Sequence, residues 1–255
     1  MIYIVIPCYI ATEELAELTR RTIKSFKETS ECYIIAVDDG SPMKDIDADE
    51  VLVNETNMGF AKTCNKGLKR ALKLATNDDY IVCANNDIYV FDGWDRAMTE
   101  PFERFERVGI TGLISAPDYD VSDGKFRGKL IKDFKVNKIT EGGLLDGWMQ
   151  SGGLWMTTPS VLKEIGLFDE QFEVGGEEDV DLFLRCRDYF DYKIVMSGKS
   201  CFWHREGATR WNDNVEKGYK EKNKAIEQKN YDRFSEKWGF DIRTEGLRFY
   251  ENIIK

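Results

Sequence analysis

Apolar residues in this chain fall into short unbroken runs that alternate with helical stripes, and their order predicts an α/β protein. Ile2 to Ile6 is a continuous apolar run, which suits a parallel strand covered on both faces. A helical stretch follows, with Leu15, Leu18, Thr22 and Phe26 on one face and Thr12 placed as N-cap before Glu13 and Glu14. Tyr33 to Val37 reads as a second strand and Val51 to Val53 as a short third. Phe60, Cys64, Leu68, Leu72 and Ala75 trace a second helical face, and Tyr80 to Ala84 a fourth strand. Beyond it the pattern loosens. Strands are expected at Val108–Ile114, Lys193–Met196 and Ser200–Trp203, and helices at Pro159–Ile165 and Glu178–Phe190. From about Glu216 the chain is charged, with sparse Ile226, Tyr231, Phe234 and Trp238, and one or two outer amphipathic helices are expected. This βαβ order predicts a largely parallel sheet, whose ligands gather at the carboxyl ends of its strands.

Those strand ends carry the chemistry. Asp38-Asp39-Gly40-Ser41 closes the second strand and Asn85-Asn86-Asp87 the fourth. Hard divalent cations take oxygen ligands, usually one or two carboxylates plus substrate phosphates, and Asp87 is placed to supply one. An Asn-rich turn is the plainer reading of the same run. Glu178-Asp179 and the single histidine, His204, come later in the chain. Together these are the parts of a site for a nucleotide diphosphate.

Composition narrows the setting. With 255 residues, 42% hydrophobic and 13% aromatic, the chain can bury a substantial core. A net charge of −10 argues against general affinity for nucleic acid or anionic membrane. The six cysteines show no metal-ligand spacing, which suggests reduced thiols and a cytoplasmic address. Met1–Ile6 lacks a basic leader region and no stretch approaches 18 apolar residues, so a soluble protein without a membrane span is expected. Lysines and an arginine crowd residues 125–138, a loop or arm whose charges fit a solvated surface or contact with an anionic acceptor.

In order and spacing these motifs resemble the family 2 glycosyltransferases. The match runs through Ile6-Pro7-Cys8-Tyr9, Val37 to Ser41, Asn57-Met58-Gly59-Phe60, Asn65-Lys66-Gly67, Asn85-Asn86-Asp87 and Gly166-Leu167-Phe168-Asp169. It continues with Gly176 to Leu182, Arg185, His204-Arg205-Glu206-Gly207 and Lys237-Trp238-Gly239. The resemblance implies a GT-A fold, a single Rossmann-like mixed and mostly parallel sheet flanked by helices. One domain would span residues 1–215, with a nucleotide-binding half to about 115 and an acceptor half after it, and a helical extension over 216–255. It also implies a metal-dependent, inverting transferase that moves a sugar from a nucleotide-diphosphate donor to an acceptor hydroxyl. The donor would be a UDP-sugar or dTDP-rhamnose, since Asn85-Asn86-Asp87 looks like the form found in rhamnosyltransferase-like members. The acceptor would belong to a surface glycan or polysaccharide.

Roles follow from the same resemblance. Asp39, with Asp38 nearby, would bind the pyrimidine base, and Pro7 and Tyr9 would line its pocket. Asn57, Gly59 and Lys62 would face the diphosphate at a helix start. Asn85 and Asn86 would also contact the donor, while Asp87 and His204 would hold Mn²⁺ or Mg²⁺. Asn85 stands where the family's motif has its first aspartate, which lowers the negative charge there. Asp179 would be the catalytic base, with Glu178 beside it. Trp148, Gly152, Gly153 and Arg205 would meet sugar or acceptor, with Trp155 and Trp203 as further candidates for a stacking wall. Arg205 and Arg210 would assist the metal in neutralising the departing diphosphate. Asp181 and Arg185 fit an i,i+4 structural ion pair. A non-catalytic sugar-nucleotide-binding member and a sugar-nucleotide nucleotidyltransferase are the alternatives. The second lacks its Gly-rich basic loop after the first strand, and no G-x-G-x-x-G supports an oxidoreductase.

Overall fold

Unbroken apolar runs end up as strands whose alternate side chains enter two separate cores. The computed structural model describes residues 1–116, 144–146, 152–205, 207–210, 212, 214–215 and 217–244. Its strands are β1 Ile2–Cys8, β2 Cys32–Asp39, β3 Glu50–Asn54, β4 Tyr80–Ala84, β5 Ile88–Val90, β6 Val108–Ala116, β7 Leu144–Asp146, β8 Leu154–Thr157 and β9 Lys193–His204. Its helices are α1 Glu13–Thr29, α2 Phe60–Leu74, α3 Trp94–Arg104, α4 Pro159–Ile165, α5 Glu178–Leu184 and α6 Tyr219–Trp238.

The strands join one mixed sheet in the order β3-β2-β1-β4-β8-β6-β9-β5, with β7 also paired to β9. The β3-β2-β1-β4 half is parallel, as are β6 and β9, whereas β8 runs antiparallel to both β4 and β6. Ile4, Ile6, Ile34, Ala36, Val82 and Met156 face the core shared with α1 and α3. Their neighbours Val5, Ile35, Val37, Ile81, Cys83 and Trp155 face the other core, under α2, α4 and α5. Helices therefore cover both faces, as the continuous runs require. On the second face α2 lies directly on the sheet. A Cβ at Gly67 would stand 2.3 Å from Val5 Cγ1 and 2.9 Å from Val37 Cγ2.

Helix α1 shows how pattern becomes structure. Thr12 caps it by accepting from the Leu15 N–H at 3.3 Å, and Leu15, Leu18, Thr22 and Phe26 are all buried. Its buried hydroxyls do more than fill space. Thr22 Oγ1 donates to the Ile88 carbonyl at 2.7 Å and lies 3.1 Å from the Ile88 N–H, and Ser25 Oγ accepts from Val90 N. The free edge of β5 is thus satisfied by a helix in place of another strand.

Several elements differ from the pattern-based reading. The expected helix Glu178–Phe190 is α-helical only to Leu184 and continues as a π-helical turn, Arg185–Tyr189. There the Arg185 side chain binds Asp181 and the carbonyls of Ile165 and Leu167. The two expected strands near residue 200 are one strand, β9. Its register to β6 jumps between Leu113–Ser197 and Ile114–Cys201, so the polar Gly198-Lys199-Ser200 insert bulges out of a continuous ladder. Helix α3 and strands β5 and β8 carry too short or too mixed a pattern to stand out. Among the described residues the charged C-terminal region forms helix α6, with Asn223, Asn230 and Phe234 buried, so much of its inner face is polar.

Helix α6 is tied down where α5 ends. The carboxylate of Asp181, fully buried, meets Arg185 Nε at 3.0 Å, Lys237 Nζ at 2.8 Å and Trp238 Nε1 at 3.0 Å. Phe234 packs with Phe172 and Leu184 beside it. Asp181→Ala would leave two cations without their buried partner, and a loss of about 3–5 kcal/mol is expected in denaturant unfolding. A loss below about 1 kcal/mol would show that water already screens the pair.

Candidate active site

Two strand pairings build the centre of the site. In the antiparallel β5–β9 ladder Ile88 faces His204, and the Arg205 N–H bonds the Asp87 carbonyl at 3.0 Å. That register sets Asp87 beside His204, with Oδ1 and Nε2 3.2 Å apart. In the β4–β8 ladder Ala84 faces Leu154, so the Asn85 N–H meets the Gly153 carbonyl at 2.9 Å. Asn85 Nδ2 also lies 3.1 Å from His204 Nε2.

The Asp87 carboxylate asks for a proton on that ring nitrogen, whereas the Asn85 amide N–H asks for a lone pair. Asn85 Oδ1 is buried with no hydrogen-bond partner among the described residues. A carboxylate and an imidazole 3.2 Å apart, with an unpaired amide oxygen on nearby Asn85, fit a divalent cation whose remaining ligands are drawn from a substrate. Among the described residues, no cluster of three or more His, Cys, Asp or Glu side chains would hold an ion without such help.

A second cluster shapes the loop before α2. Asp39 Oδ1 accepts from Asn54 Nδ2 and the Met58 N–H, both at 2.8 Å, and Oδ2 accepts from the Gly59 N–H at 3.1 Å. Asn57 Oδ1 shares that Gly59 N–H at 3.1 Å. The close approach depends on Gly40 (φ +72°), where a Cβ would fall 2.6 Å from the backbone carbon of Thr56. Three donors leave the Asp39 carboxylate one free lone-pair direction, on Oδ2.

The third cluster is acidic. Glu177, with φ +70°, caps α5, whose first turn holds Glu178 and Asp179. Glu178 accepts from the Gly176 N–H, and Asp179 Oδ1 from the Val180 N–H at 2.8 Å. Burial raises the pKa of Asp179 above the ordinary carboxylate range, against the neighbouring backbone N–H groups and the Arg210 charge. Burial and the Asp179 charge raise Glu178 as well. Burial, then Asp179, pushes Glu177 up to about 7. Asp179 also lies against Gly152, where a Cβ would stand 2.0 Å from its Oδ2.

All three clusters open on one cavity of about 500 Å³. It gathers Pro7, Tyr9, Asp39, Asn57, Gly59, Asn85, Asn86, Asp87, Gly152, Gly153, Glu178, Asp179 and His204. It does not gather Asp38, Lys62 or Arg205. Asp38 is turned to the Ser41 N–H and Lys44, and Lys62 is on the exposed side of α2. Asn86 also spends its amide N–H elsewhere, on Thr19 Oγ1 at 2.9 Å. Trp155 is buried in the second core, and Trp148 and the 125–138 stretch lie outside the described residues. The sequence reading missed Thr63, Glu177, Tyr219 and Asn223 as lining residues. Tyr219 and Asn223 gave no signal, because they sit in a helix that reads as solvated charge.

Glu177, Glu178 and Asp179 hold protons more tightly folded than unfolded. Their contribution to stability is therefore present at low pH and lost as pH rises through the folded values. For Glu177 the window runs from its ordinary 4.5 to about 7. Glu177→Gln should flatten the fall in Tm across that window, and an unchanged slope would refute the assignment. Gly152→Ala should displace Asp179, lowering turnover with little change in nucleotide affinity by calorimetry. Wild-type turnover would show the contact to be slack.

With this geometry in place, comparison with known proteins is direct. The family model described as "Glycosyl transferase family 2" matches residues 3–166. A search of curated proteins found no match. Among solved structures, GalNAc-T7 with UDP, GalNAc and Mn²⁺ superposes with a TM-score of 0.61 at 16% identity, covering 80% of this chain and 43% of that one. TarS of S. aureus (residues 1–349) gives 0.56 at 15% identity, covering 95% and 75%. The mannosyltransferase PcManGT of Pyrobaculum calidifontis, with GDP-Man and Mn²⁺, gives 0.55 at 14%, covering 84% and 60%. The chain thus spans less than half of GalNAc-T7, and at these identities the shared property is the GT-A fold. The match over residues 3–166, on a sheet that carries its acidic motifs to one cavity, makes this chain a glycosyltransferase belonging to family 2.

Proposed function

We propose that the protein is a metal-dependent, inverting glycosyltransferase that uses a nucleotide-diphosphate sugar and a glycan hydroxyl. The observation that supports it most is the sharing of one cavity by Asp39, the Asp87–His204 pair and Asp179. That is the set of groups a donor nucleotide, its diphosphate and an attacking hydroxyl require. The neighbours solved with UDP, UDP-GlcNAc and GDP-Man are consistent with such a donor.

In this reading the free lone pair on Asp39 Oδ2 accepts the ring N–H of the base, and Tyr9 borders the ring. Uracil and thymine both offer that N–H, so UDP-sugars and dTDP-rhamnose remain the preferred donors. The start of α2, which brings Gly59, Phe60 and Thr63 to the cavity, would favour the diphosphate through the helix dipole. Asp87 and His204, with Asn85, would hold Mn²⁺ or Mg²⁺, which when bound neutralises charge on the departing nucleoside diphosphate. Asp179 takes the acceptor's hydroxyl proton while that oxygen bonds the anomeric carbon from the face opposite the leaving group. The bond from anomeric carbon to diphosphate breaks, and its electron pair leaves on the phosphate oxygen. Burial favours Asp179 as the base by raising its pKa toward working pH.

The test is nucleoside diphosphate release from UDP-glucose, UDP-N-acetylglucosamine, UDP-galactose, dTDP-rhamnose and GDP-mannose, with Mn²⁺, Mg²⁺ or EDTA. One donor should be turned over only with metal, and Asp87→Ala or His204→Ala should abolish that turnover. Asp179→Asn should lower turnover by about 10²–10⁴ with nucleotide affinity retained. Release that ignores both EDTA and Asp87→Ala would remove the metal from the mechanism. Full activity in Asp179→Asn would move the base elsewhere.

A further inference from the structure

Two asparagines on the inner face of α6 are equally buried, each 2% exposed, yet they are used differently. Asn230 satisfies both ends of its amide on one partner. Its Nδ2 donates to the Glu173 carbonyl at 2.9 Å and its Oδ1 accepts from the Glu173 N–H at 3.1 Å. Asn223, two turns earlier, is satisfied at one end only. Its Nδ2 donates to the Arg210 carbonyl at 2.8 Å, while its Oδ1 is buried with no partner among the described residues. A buried acceptor left unmade costs about 1–3 kcal/mol, so a position whose neighbour shows how to avoid that cost calls for a reason.

The location supplies one. Asn223 lines the cavity together with Tyr219 of the same helix and Thr209 and Arg210 of the segment after His204. Arg210 is held from α6 by Glu227, at 3.3 Å, and its Nη2 stands 2.6 Å from where a Cβ of Gly176 would be. Gly176 leads into Glu177, Glu178 and Asp179. Asn223 therefore borders the end of the cavity that holds the acidic cluster, where the reacting carbon sits in the proposed mechanism. An amide oxygen can only accept, so the group that meets it is a donor, and a sugar hydroxyl is one.

We propose that Asn223 Oδ1 is a specificity determinant that accepts a hydrogen bond from a hydroxyl of the transferred sugar. The proposal rests on the sugar-nucleotide reading of the site, and it makes α6 part of the donor pocket. Asn223 positions the sugar without touching the bonds that change.

Calorimetry with Mn²⁺ separates the possibilities. UDP, dTDP and GDP are compared with UDP-glucose, UDP-N-acetylglucosamine, UDP-galactose, dTDP-rhamnose and GDP-mannose. In the wild type, at least one sugar nucleotide should bind more tightly than its own nucleoside diphosphate. Asn223→Ala should reduce that advantage by about five- to tenfold and leave the bare diphosphate unchanged. Asn223→Ser, whose hydroxyl sits about where the Asn223 Cγ does and so falls short of the Oδ1 position, gives the same ratio if the alanine variant folds poorly. An undiminished advantage in both variants would show that only water meets Oδ1, and would overturn the proposal. Parallel loss of sugar nucleotide and bare diphosphate in both variants would overturn it too, leaving Asn223 a purely structural residue. Absence of any sugar advantage in the wild type, with diphosphate bound, would sink this proposal alone. If no nucleotide binds the wild type, the sugar-nucleotide reading itself falls.

Discussion

Everything at the centre of this molecule depends on a three-residue strand. Strand β5 pairs with the end of β9 so that Ile88 opposes His204, and Asp87 and the only histidine come within 3.2 Å although 117 positions separate them. A strand this short cannot hold itself in place. Its other edge is bonded by Thr22 and Ser25 of α1, while Thr19 anchors the neighbouring Asn86. Those hydroxyls are buried in a helix face that is otherwise apolar, so a slip of the strand would leave several polar groups unsatisfied at once. The register of the site is thereby as firm as the first core.

The antiparallel strand β8 is the second constraint. Inserted between β4 and β6, it sends Trp155 into one core and Leu154 and Met156 into the other. Its start also delivers Gly152 and Gly153 to the cavity. Absence of a side chain at Gly152 is what lets Asp179 approach, since a Cβ there would overlap its carboxylate. Asp181 then locks the C-terminal end of the same helix to Arg185, Lys237 and Trp238. Two aspartates two residues apart thus play opposite parts. One is satisfied on every side and holds the helix, and the other lines the cavity beside Gly152.

The C-terminal helix fits the same scheme. Its charged sequence reads as a solvated extension, yet Asn223, Glu227, Asn230 and Phe234 face inward along one side. Among the described residues no helix is long and apolar enough to cross a membrane, α6 included. Polar packing of this kind leaves no hydrophobic stripe to detect. It is built instead from hydrogen bonds to Arg210 and Glu173, groups that are far away in sequence.

Local patterns were sufficient wherever one interaction range decided the outcome. The apolar runs at Ile2, Tyr33 and Tyr80, the stripe from Phe60 and the helix at Pro159–Ile165 all form the expected elements, because burial on two faces or on one helical face leaves a periodic trace. The carboxylates at strand ends were visible for the same reason, and their order along the chain identified the family. Tertiary structure alone decided which of those residues meet. It turned Asp38 to Lys44 and away from the cavity, left Lys62 on the outer side of α2, joined two apparent strands through a bulge, and drew Glu177, Tyr219 and Asn223 into the site. Such choices depend on strand register and on hydrogen bonds between distant segments, and neither leaves a periodic signal in a linear sequence.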